Sequence, residues 1–262
     1  MNKLFIIKIG GNVLDNPAVL SQFLADFAAI REPKILIHGG GKIATKIGEQ
    51  MGIESKYTNG RRITDEATLD LVTMVYAGLV NKNIVASLQK LACNAMGVTG
   101  ADGNLIKAVK RPVKDIDYGF AGDIRPEGVN VIFLHFLLKQ AIVPVFAPLT
   151  HGDGAMLNTN ADTIAATLAI ALSKHFDVRL MYCFEKKGVL RDVNNDDTVI
   201  THLSEASYKQ LLRDGALVDG ILPKLENAFA AIHAGVKEVL IGHADDVVRN
   251  TKAETAGTLI TR

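Results

Sequence analysis

Lys8 is the residue of this sequence whose surroundings most demand a chemical explanation. It is the one charge in the apolar run from Leu4 to Ile9, and Gly10 and Gly11 follow directly. A buried strand that ends in glycine lets another group approach its backbone closely, whereas burying an unpaired lysine is costly. We therefore expect Lys8 to face an anion at the end of a strand, either a carboxylate of the protein or a bound phosphate.

Clusters of glycine or polar residues follow several other apolar stretches in the same way. Backbone N–H groups at glycine turns and helix N-termini bind anions, and two such turns on neighbouring strands suit a chain of phosphates. The Gly39–Gly41 turn matches neither the G-x-x-x-x-G-K-[ST] nor the G-x-G-x-x-G spacing. A tight turn needs only one glycine, so three favour close approach of a ligand. The clusters are Gly10–Gly11, Gly39–Gly41, the segment ending at Asp162, and Glu185–Gly188.

Five further polar residues are candidates, and all of them except Lys224 also have a purely structural explanation. Arg62 could be a solvated charge after a hairpin. Asn158, Asn160 and Asp162 are of residue types common in loops and helix caps, and Asp162 would suit the first turn of a helix. Lys224 falls in a predicted first helical turn, where the helix dipole disfavours a cation, and this favours an external anion as its partner.

Composition argues against several classes of function. The net charge is +1 without any block of like charges, which argues against a nucleic-acid surface or a basic membrane-surface patch. The seven histidines are scattered, and no His/Cys cluster has metal-ligand spacing, so we predict no metal site built by the protein. Cys93 and Cys183 stand in apolar surroundings, and two buried thiols are favoured over a disulfide.

Length and hydropathy favour a soluble α/β protein. The 262 residues, 48% of them apolar, suffice for one large domain or two joined lobes. The N-terminus has no signal-peptide pattern, and no apolar run approaches the roughly 20 residues of a membrane span. We therefore expect a cytoplasmic protein without a membrane partner.

Apolar strands alternate with helical segments from end to end, which predicts a three-layer αβα sandwich with a mainly parallel central sheet. The strands at residues 4–9 and 34–38 flank a helix, and such a βαβ unit pairs its strands in parallel. Ligands of such sheets bind beyond the carboxyl ends of the strands, where the glycine clusters fall. Further strands are predicted at residues 142–147, 178–183, 237–242 and 257–260, and helices at residues 17–30, 42–51, 129–140, 161–173, 204–214 and 223–234.

The part of the chain after the second glycine cluster is predicted to be helical with one hairpin. The hairpin spans residues 56–63 and turns at Asn59-Gly60, and Thr64 is predicted to cap a helix that begins at the next residue. Helical periodicity continues to about Met96, as two helices that meet near Asn81.

Two polar stretches interrupt the second half of the pattern. Residues 99–123 are rich in glycine, with a predicted hairpin around residues 105–109, and we expect this excursion to cover a site because the sheet does not need it. Residues 150–162 are also polar and precede a helix. Pro144 favours an edge or irregular position for its strand.

Six segments, in this order along nearly the whole chain, resemble the amino acid kinase family. Each segment alone is weak, but the ordered set is specific. The third segment favours the acylglutamate kinases of that family over carbamate kinase, aspartokinase or uridylate kinase. The segments are Ile7–Gly11, His38–Gly41, Asn59–Thr64, Asn158–Asp162, Asp219–Lys224 and Gly257-Thr258.

The resemblance implies that the γ-phosphoryl group of ATP is transferred to the side-chain carboxylate of an N-acyl-L-glutamate, giving an acyl phosphate in arginine biosynthesis. Such transfer requires positioning and charge neutralisation rather than a covalent intermediate. By the resemblance, Lys8 and Lys224 flank the transferring group and Asp162 holds both lysines in place. The acceptor is already ionised, so no general base is needed. The nucleotide phosphates would be the chief ligands of Mg²⁺.

The resemblance also implies two lobes on one continuous sheet, an acylglutamate-binding and dimerisation lobe at residues 1–175 and an ATP-binding lobe at residues 176–262. Arg62 would hold the substrate α-carboxylate, a bidentate task, and Asn158 the N-acyl amide region. The other implied substrate-binding residues are Gly11, Gly40, Gly41 and Asn160, and the implied nucleotide-binding residues are Gly10, Glu185, Lys187, Gly188, Leu190 and Asp219.

One segment departs from the family pattern of Asp-Val-x-Gly-Val. Phe184–Val189 carries Glu185 in place of the aspartate, one carbon longer, with two lysines after it. Details of adenine and ribose binding therefore stay open, as does the acyl group, acetyl or larger. Family members that form arginine-inhibited hexamers carry an additional N-terminal helix, and its absence here leads us to expect a homodimer without that feedback.

Two other functions remain open at this point. The first is another enzyme of the same fold with a different acceptor, since the shape of the acceptor pocket cannot be read from sequence. The second is a non-catalytic, nucleotide-binding regulator, which the altered Phe184–Val189 segment favours. The presence of Lys8, Asp162 and Lys224 argues against the regulator.

Overall fold

A computed structural model describes residues 1–58, 60–192, 195, 197–213 and 222–262 of the chain. Most strands of its central sheet form at short apolar or β-branched runs bounded by glycine, proline or polar residues. All six strands predicted for the main sheet are present, each within one residue of its expected ends. The strands are β1 Lys3–Ile9, β2 Lys34–Ile37, β3 Tyr57–Thr58, β4 Arg61–Arg62, β5 Ala95–Val98, β6 Ile106–Lys110, β7 Gly122–Val129, β8 Val143–Phe146, β9 Leu149–Gly152, β10 Ala155–Asn158, β11 Asp177–Phe184, β12 His202–Leu203, β13 Glu238–His243 and β14 Thr258–Ile260.

The helices begin at local signals that the sequence carries. The Asn16 side chain accepts hydrogen bonds from the backbone of Ala18 and Val19, and Pro17 takes the first helical position. The last residue of the helix predicted at 204–214 lies outside the described residues. The helices are α1 Gly11–Asp15, α2 Pro17–Ala29, α3 Gly41–Gln50, α4 Glu66–Val72, α5 Asn81–Lys90, α6 Val131–Lys139, α7 Ala161–Leu172, α8 Glu205–Arg213 and α9 Leu222–His233, with a π-helical segment, Thr73–Val80, between α4 and α5.

The central sheet has eight strands in the order β12-β14-β13-β11-β1-β2-β8-β5. Neighbouring strands pair in parallel except β13 and β14, which confirms the mainly parallel sheet. Because β1 lies between β2 and β11, the sheet runs continuously through both predicted lobes. The lobe boundary itself stays a prediction.

One hydrophobic core lies on each face of this sheet, as the three-layer prediction requires. The first core takes side chains from α7 and α9, and the second takes them from α2 and α5. Along β1, Leu4 and Ile6 belong to the first core, and Phe5 and Ile7 to the second. Lys8 is two residues after Ile6, so its side chain leaves the strand on the α7 face.

A small second sheet forms from the two polar stretches at residues 99–123 and 150–162, together with residues up to 129. Its order is β10-β9-β6-β7. The hairpin predicted around residues 105–109 was too short, because β6 pairs with the distant β7. Residues 150–162, which the sequence showed only as a polar stretch before a helix, contain the β9–β10 hairpin. An isolated bridge between Ala121 and Asn158 connects the ends of β7 and β10.

The hairpin of β3 and β4 is confirmed, although its Asn59 lies outside the described residues. The predicted helix cap at Thr64 was wrong. The Asp65 side chain accepts the bond from the Thr68 backbone at 2.9 Å, because the Thr64 backbone is held in extended pairing with Tyr118 and Phe120.

The end of the long helical region was also predicted wrongly. A second α-helix does begin at Asn81, as expected, but helical structure ends at Lys90, and the Ala95–Val98 segment is the edge strand β5. So short an apolar run cannot be told from helix by periodicity. Pro144 lies in the interior strand β8 rather than at an edge, and it is tolerated because pairing with β2 begins only at Val145.

The helical run from Glu66 to Lys90 is long and apolar enough to cross a membrane by length and composition alone. In the structure, 44% of the most apolar 18-residue stretch of this run is buried. Leu71, Tyr76 and Ile84 of this run pack into the second core, as in a core helix. Cys93 and Cys183 are free and buried, which confirms the two thiols.

Candidate active site

The carboxyl ends of β1, β2 and β10 and the start of α7 surround a cleft of about 310 Å³. Of the described residues that line it, Asp162 is the only acidic one. Such a surplus of cations suits an anionic ligand. The cations are Lys8, Lys42, Arg61, Arg62 and Arg111.

Lys8 and Asp162 form an ion pair at the side of this cleft. The Lys8 Nζ lies 2.8 Å from Asp162 Oδ1, and the two side chains are 17% and 33% exposed. Asp162 stands in the first turn of α7, on the sheet face to which Lys8 points. Of the two partners expected for Lys8, the structure supplies the carboxylate, and the ammonium still lines the cleft, where an anion can reach it.

Tyr182 supports this pair from the neighbouring strand. It is the register partner of Lys8 on β11, and its hydroxyl donates to the Asp162 backbone carbonyl at 3.4 Å. Burial, reinforced by the Asp162 charge, raises the pKa of Tyr182, so the phenol stays a neutral donor.

Both glycine turns open into helices at the cleft. Gly11 begins α1 and Gly41 begins α3, so their backbone N–H groups belong to the unpaired first turn of a helix. A Cβ on Gly41 would meet nothing within 4 Å, which leaves room for a ligand. The Gly10 N–H instead donates to the Cys183 carbonyl at 3.1 Å, so this glycine ties β1 to β11.

Arg62 is buried in the wall of the cleft and fixed by several groups. Its Nη2 donates to the Gly41 carbonyl at 2.8 Å and to Thr45 Oγ1 at 3.0 Å, and its Nη1 donates to Ser55. The guanidinium also lies over the Tyr57 ring, 4.8 Å from its centroid. Arg62 is therefore not a solvated charge, since only 7% of it is exposed.

The two asparagines of the segment before α7 both line the cleft. Asn158 Nδ2 donates to Thr64 Oγ1 at 2.9 Å, which fixes its amide beside the hairpin. Asn160 caps α7, because its side chain accepts from the Thr163 backbone at 3.0 Å. The structural explanation therefore holds for Asn160, while its position in the cleft also leaves the binding prediction in place.

Sequence reasoning missed several residues that line the cleft, four of which bring aromatic rings or a paired guanidinium to it. Arg111 and Tyr118 come from the excursion between β6 and β7, with the Arg111 guanidinium 5.2 Å from the Tyr118 ring centroid and paired with Asp123. Tyr57 and Tyr76 come from the hairpin and the π-helical segment. The polar composition of residues 99–123 was the one signal for Arg111 and Tyr118, since it predicted a cover over a site.

Lys224 lies in the first turn of α9, as predicted. Its Nζ is 4.2 Å from the centroid of the Phe184 ring, and Phe184 lies beside Gly10 at the end of β1. Within the part of the chain that the structure describes, Lys224 makes no ion pair with Asp162. The structure thus brings together Lys8 and Asp162, and the role of Lys224 stays a prediction.

The predicted nucleotide-binding residues follow β11. Glu185 and Lys187 are exposed, and Lys187 Nζ lies 3.5 Å from Asp197 Oδ1. Gly188 packs against Thr258, where a Cβ would come within 2.6 Å of Oγ1, and Leu190 pairs with Val199. Asp219 lies outside the described residues. No group of three or more His, Cys, Asp or Glu side chains among the described residues could hold a metal ion.

Comparison with known proteins supports the same assignment as the motifs. The model of the amino acid kinase family matches residues 3–243. The acetylglutamate kinase of Phocaeicola vulgatus is 57% identical over 259 residues, covering 98% of each chain. That of Bacteroides thetaiotaomicron is 59% identical over 249 residues, covering 95% of this chain and 96% of its own.

A solved structure agrees in fold. The N-acetylglutamate synthase from Neisseria gonorrhoeae, complexed with coenzyme A and N-acetyl-glutamate, superposes with a TM-score of 0.82 at 23% identity. All of this chain is covered, and it spans 59% of that longer protein. At this identity the likeness shows the fold alone. On the family model and the two close relatives, the chain belongs to the amino acid kinase family.

Proposed function

We propose that this protein uses ATP to phosphorylate the side-chain carboxylate of an N-acyl-L-glutamate, with N-acetyl-L-glutamate as the first candidate, in arginine biosynthesis. The observation that carries the proposal is the Lys8–Asp162 pair, which holds a cation beside two glycine turns. The relatives at 57% and 59% identity, both acetylglutamate kinases, support the choice of substrate.

The reaction needs charge neutralisation above all. The acceptor carboxylate attacks the γ-phosphorus, the bond from that phosphorus to the β-bridging oxygen breaks, and ADP leaves with the electron pair. Lys8 stabilises the negative charge on the transferring group from the acceptor side, while Asp162 fixes its ammonium. Gly11, Gly40 and Gly41 offer backbone N–H groups to the same oxygens. Lys224 approaches from the leaving-group side.

Arg62 and Asn158 bind the amino acid in this proposal. The acceptor α-carboxylate lies against the Arg62 guanidinium, whose planar fork suits a bidentate contact. Asn158 and Asn160 contact the N-acyl amide region. ATP binds across Gly10 and the segment that follows β11. The residues for that nucleotide are Glu185, Lys187, Gly188, Leu190 and Asp219.

Magnesium fits the site as a partner of the nucleotide. The described part of the cleft has Asp162 as its only acidic residue, and Lys8 already holds that carboxylate. The protein therefore leaves the ion to the nucleotide's phosphates, where it would supply further charge neutralisation. We also propose a homodimer and a cytoplasmic location, with an amino-acid lobe at residues 1–175 and a nucleotide lobe at residues 176–262.

An ADP-release assay with a panel of N-acylglutamates tests the function. We expect ATP-dependent turnover with N-acetyl-L-glutamate or a larger N-acyl homologue, and none with free glutamate or carbamate. An acyl phosphate product can be trapped as a hydroxamate. Turnover with a different acceptor would favour another enzyme of this fold, and tight ATP binding without turnover on any acceptor would favour a regulator.

A further inference from the structure

A fully buried histidine connects the second glycine turn to the core. His38 directly follows β2 and is 0% exposed. Its Nδ1 lies 2.6 Å from the Gly39 carbonyl oxygen, and its Nε2 lies 3.1 Å from Asn81 Nδ2. The ring lies on the same face of the sheet as Leu36, two residues earlier, whose side chain belongs to the second core. A polar ring in so apolar a place must have both nitrogens satisfied.

The contacts of Asn81 determine which ring nitrogen carries the proton. Asn81 Nδ2 also donates to the Val145 carbonyl at 2.9 Å, and a carbonyl can only accept. Asn81 Oδ1 accepts from Lys82 Nζ at 3.2 Å, and an ammonium can only donate. The amide therefore donates to His38 Nε2, so the ring proton is on Nδ1 and is donated to Gly39. Burial lowers the pKa of His38 to about 4, and the ring is neutral at physiological pH.

The chain makes several local adjustments to place Asn81. The π-helical segment Thr73–Val80 ends directly before it, and such segments are frequent at functional sites. A Cβ on Gly97 in β5 would collide with Asn81 Oδ1. The same π-helical segment brings Tyr76 under Gly40, which has a φ of +148° and where a Cβ would lie 2.8 Å from Tyr76 Cδ1. The Gly39–Gly41 turn is thus contacted by His38 at the Gly39 carbonyl and by Tyr76 at Gly40.

The Gly39 carbonyl and the Gly40 N–H belong to one planar peptide unit and point in opposite directions. A hydrogen bond that fixes the carbonyl on the core side therefore aims the N–H away from the core. Gly39, Gly40 and Gly41 all line the cleft. The orientation of the histidine ring is in this way transmitted to the Gly40 N–H, within the glycine turn that lines the cleft.

We propose that His38 is a positioning residue for phosphoryl transfer, whose Nδ1–H, oriented by Asn81, aims the Gly40 and Gly41 backbone donors at the transferring group. This inference rests on the proposed function for the identity of the reacting group. The hydrogen-bond network itself does not depend on it. His38 does not touch substrate, so its effect is on kcat through the geometry of the turn.

Two substitutions separate positioning from simple support of the core. His38→Asn keeps a donor at the place of Nδ1 and leaves the Asn81 N–H unpaired. His38→Gln keeps an acceptor for Asn81 and loses the donor to Gly39. We expect His38→Gln to lower kcat on the order of 30-fold, with the KM for ATP within about threefold. His38→Asn should lose less than about fivefold in kcat, although its Tm falls further.

Leu36→Ala on the same strand and face is the matched control. It should lower Tm through the cavity it leaves, with kcat unchanged within about twofold. A loss of kcat that simply follows Tm across His38→Gln, His38→Asn and Leu36→Ala would overturn the positioning role, because all three would then act through stability.

A second measurement does not use activity and keeps this proposal separate from the proposed function. In ¹⁵N NMR of the wild-type protein we expect a pyrrole-type Nδ1 and a pyridine-type Nε2 at His38, unchanged from about pH 8 to pH 5.5. The Gly40 and Gly41 amide resonances should move in His38→Gln and stay in His38→Asn. A wild-type ring protonated at Nε2 or at both nitrogens would contradict the network, whether or not any acylglutamate is phosphorylated.

Discussion

The two sides of the proposed site hold their charges in opposite ways. On the acceptor side, Arg62 is 7% exposed with three protein acceptors, and the Lys8 side chain is 17% exposed against Asp162. On the nucleotide side, Lys187 is 47% exposed and its partner Asp197 is 91% exposed, at 3.5 Å. The acceptor side is therefore built before a ligand arrives, whereas these nucleotide-side charges remain in water.

The difference indicates where binding energy and specificity reside. Groups already fixed by the protein lose little entropy when the ligand binds, and they stabilise transition-state charge without reorganising. Solvated lysines lose more entropy on ordering, and exposed ion pairs contribute little to stability. We therefore expect substitutions on the acceptor side to have large effects on activity, and single substitutions of nucleotide-side surface charges to have small ones.

Lys8→Ala should have the largest effect. Removing the cation leaves developing phosphoryl charge without its acceptor-side partner, and kcat should fall on the order of 10³-fold. Lys237→Ala is the matched control, since Lys237 pairs with Asp177 at 3.1 Å outside the cleft and should keep kcat within about twofold. The kcat values of both variants are measured by steady-state kinetics. Near-normal turnover in Lys8→Ala would exclude Lys8 from the proposed mechanism.

Acid should destabilise the acceptor side through His38. The unfolded chain binds a proton at His38 below about pH 6.5, whereas the native ring, buried and facing the Lys82 ammonium, stays neutral to about pH 4. Because the unfolded state then binds more protons, the free energy of unfolding decreases as the pH is lowered from about 6.5 to about 4, by about 3 kcal/mol for this group. Urea unfolding of wild type and His38→Gln at both ends of the window measures it, and equal pH dependence in the two proteins would contradict a buried neutral histidine.

Arg62→Lys should chiefly weaken binding of the amino acid. Lysine cannot reproduce the fork that reaches Gly41 and Thr45 while presenting a bidentate face to a carboxylate, so the KM for the acylglutamate should rise on the order of 10-fold. Arg179→Lys is the control. Arg179 is buried outside the cleft, where its Nε lies 2.6 Å from Glu238 Oε2, so this substitution should lower Tm without raising the KM for the acylglutamate. A change in the KM for ATP alone would reverse the assignment of the two sides.

The sequence predicts six of the eight strands of the central sheet, because each of those six is a local apolar run bounded by turn residues. It fails where short segments depend on distant partners. Ala95–Val98 is a strand because β8 lies beside it, and the β6–β7 hairpin closes over a span that local propensity does not encode. Pro144 is a further example. A proline is tolerated in this interior strand because pairing with β2 begins one residue later, at Val145, and the sequence alone does not reveal that register.

For the site, ordered motifs predicted where Lys8 and Asp162 meet, because strand period and helix start bring them to one face. The role of His38 in the turn could not be predicted in this way. Its partner Asn81 is 43 residues further along and reaches it only through a π-helical segment, for which the sequence carries no clear signal. Arg111 and Tyr118 were missed for the same reason, since a separate small sheet brings them to the cleft.

Lys187→Ala should have the smallest effect and is the sharpest check on the comparison. Its side chain is half exposed and its ion pair with Asp197 is long, so its loss should change the KM for ATP by less than about threefold and leave kcat unchanged. Lys209→Ala, which removes an exposed helical pair with Glu205 at 2.7 Å, is the control for a surface lysine. A rise above 10-fold in the KM for ATP that disappears at high salt would mean that the nucleotide recruits Lys187 on binding. The nucleotide side would then be as selective as the acceptor side, but assembled by its ligand rather than by the fold.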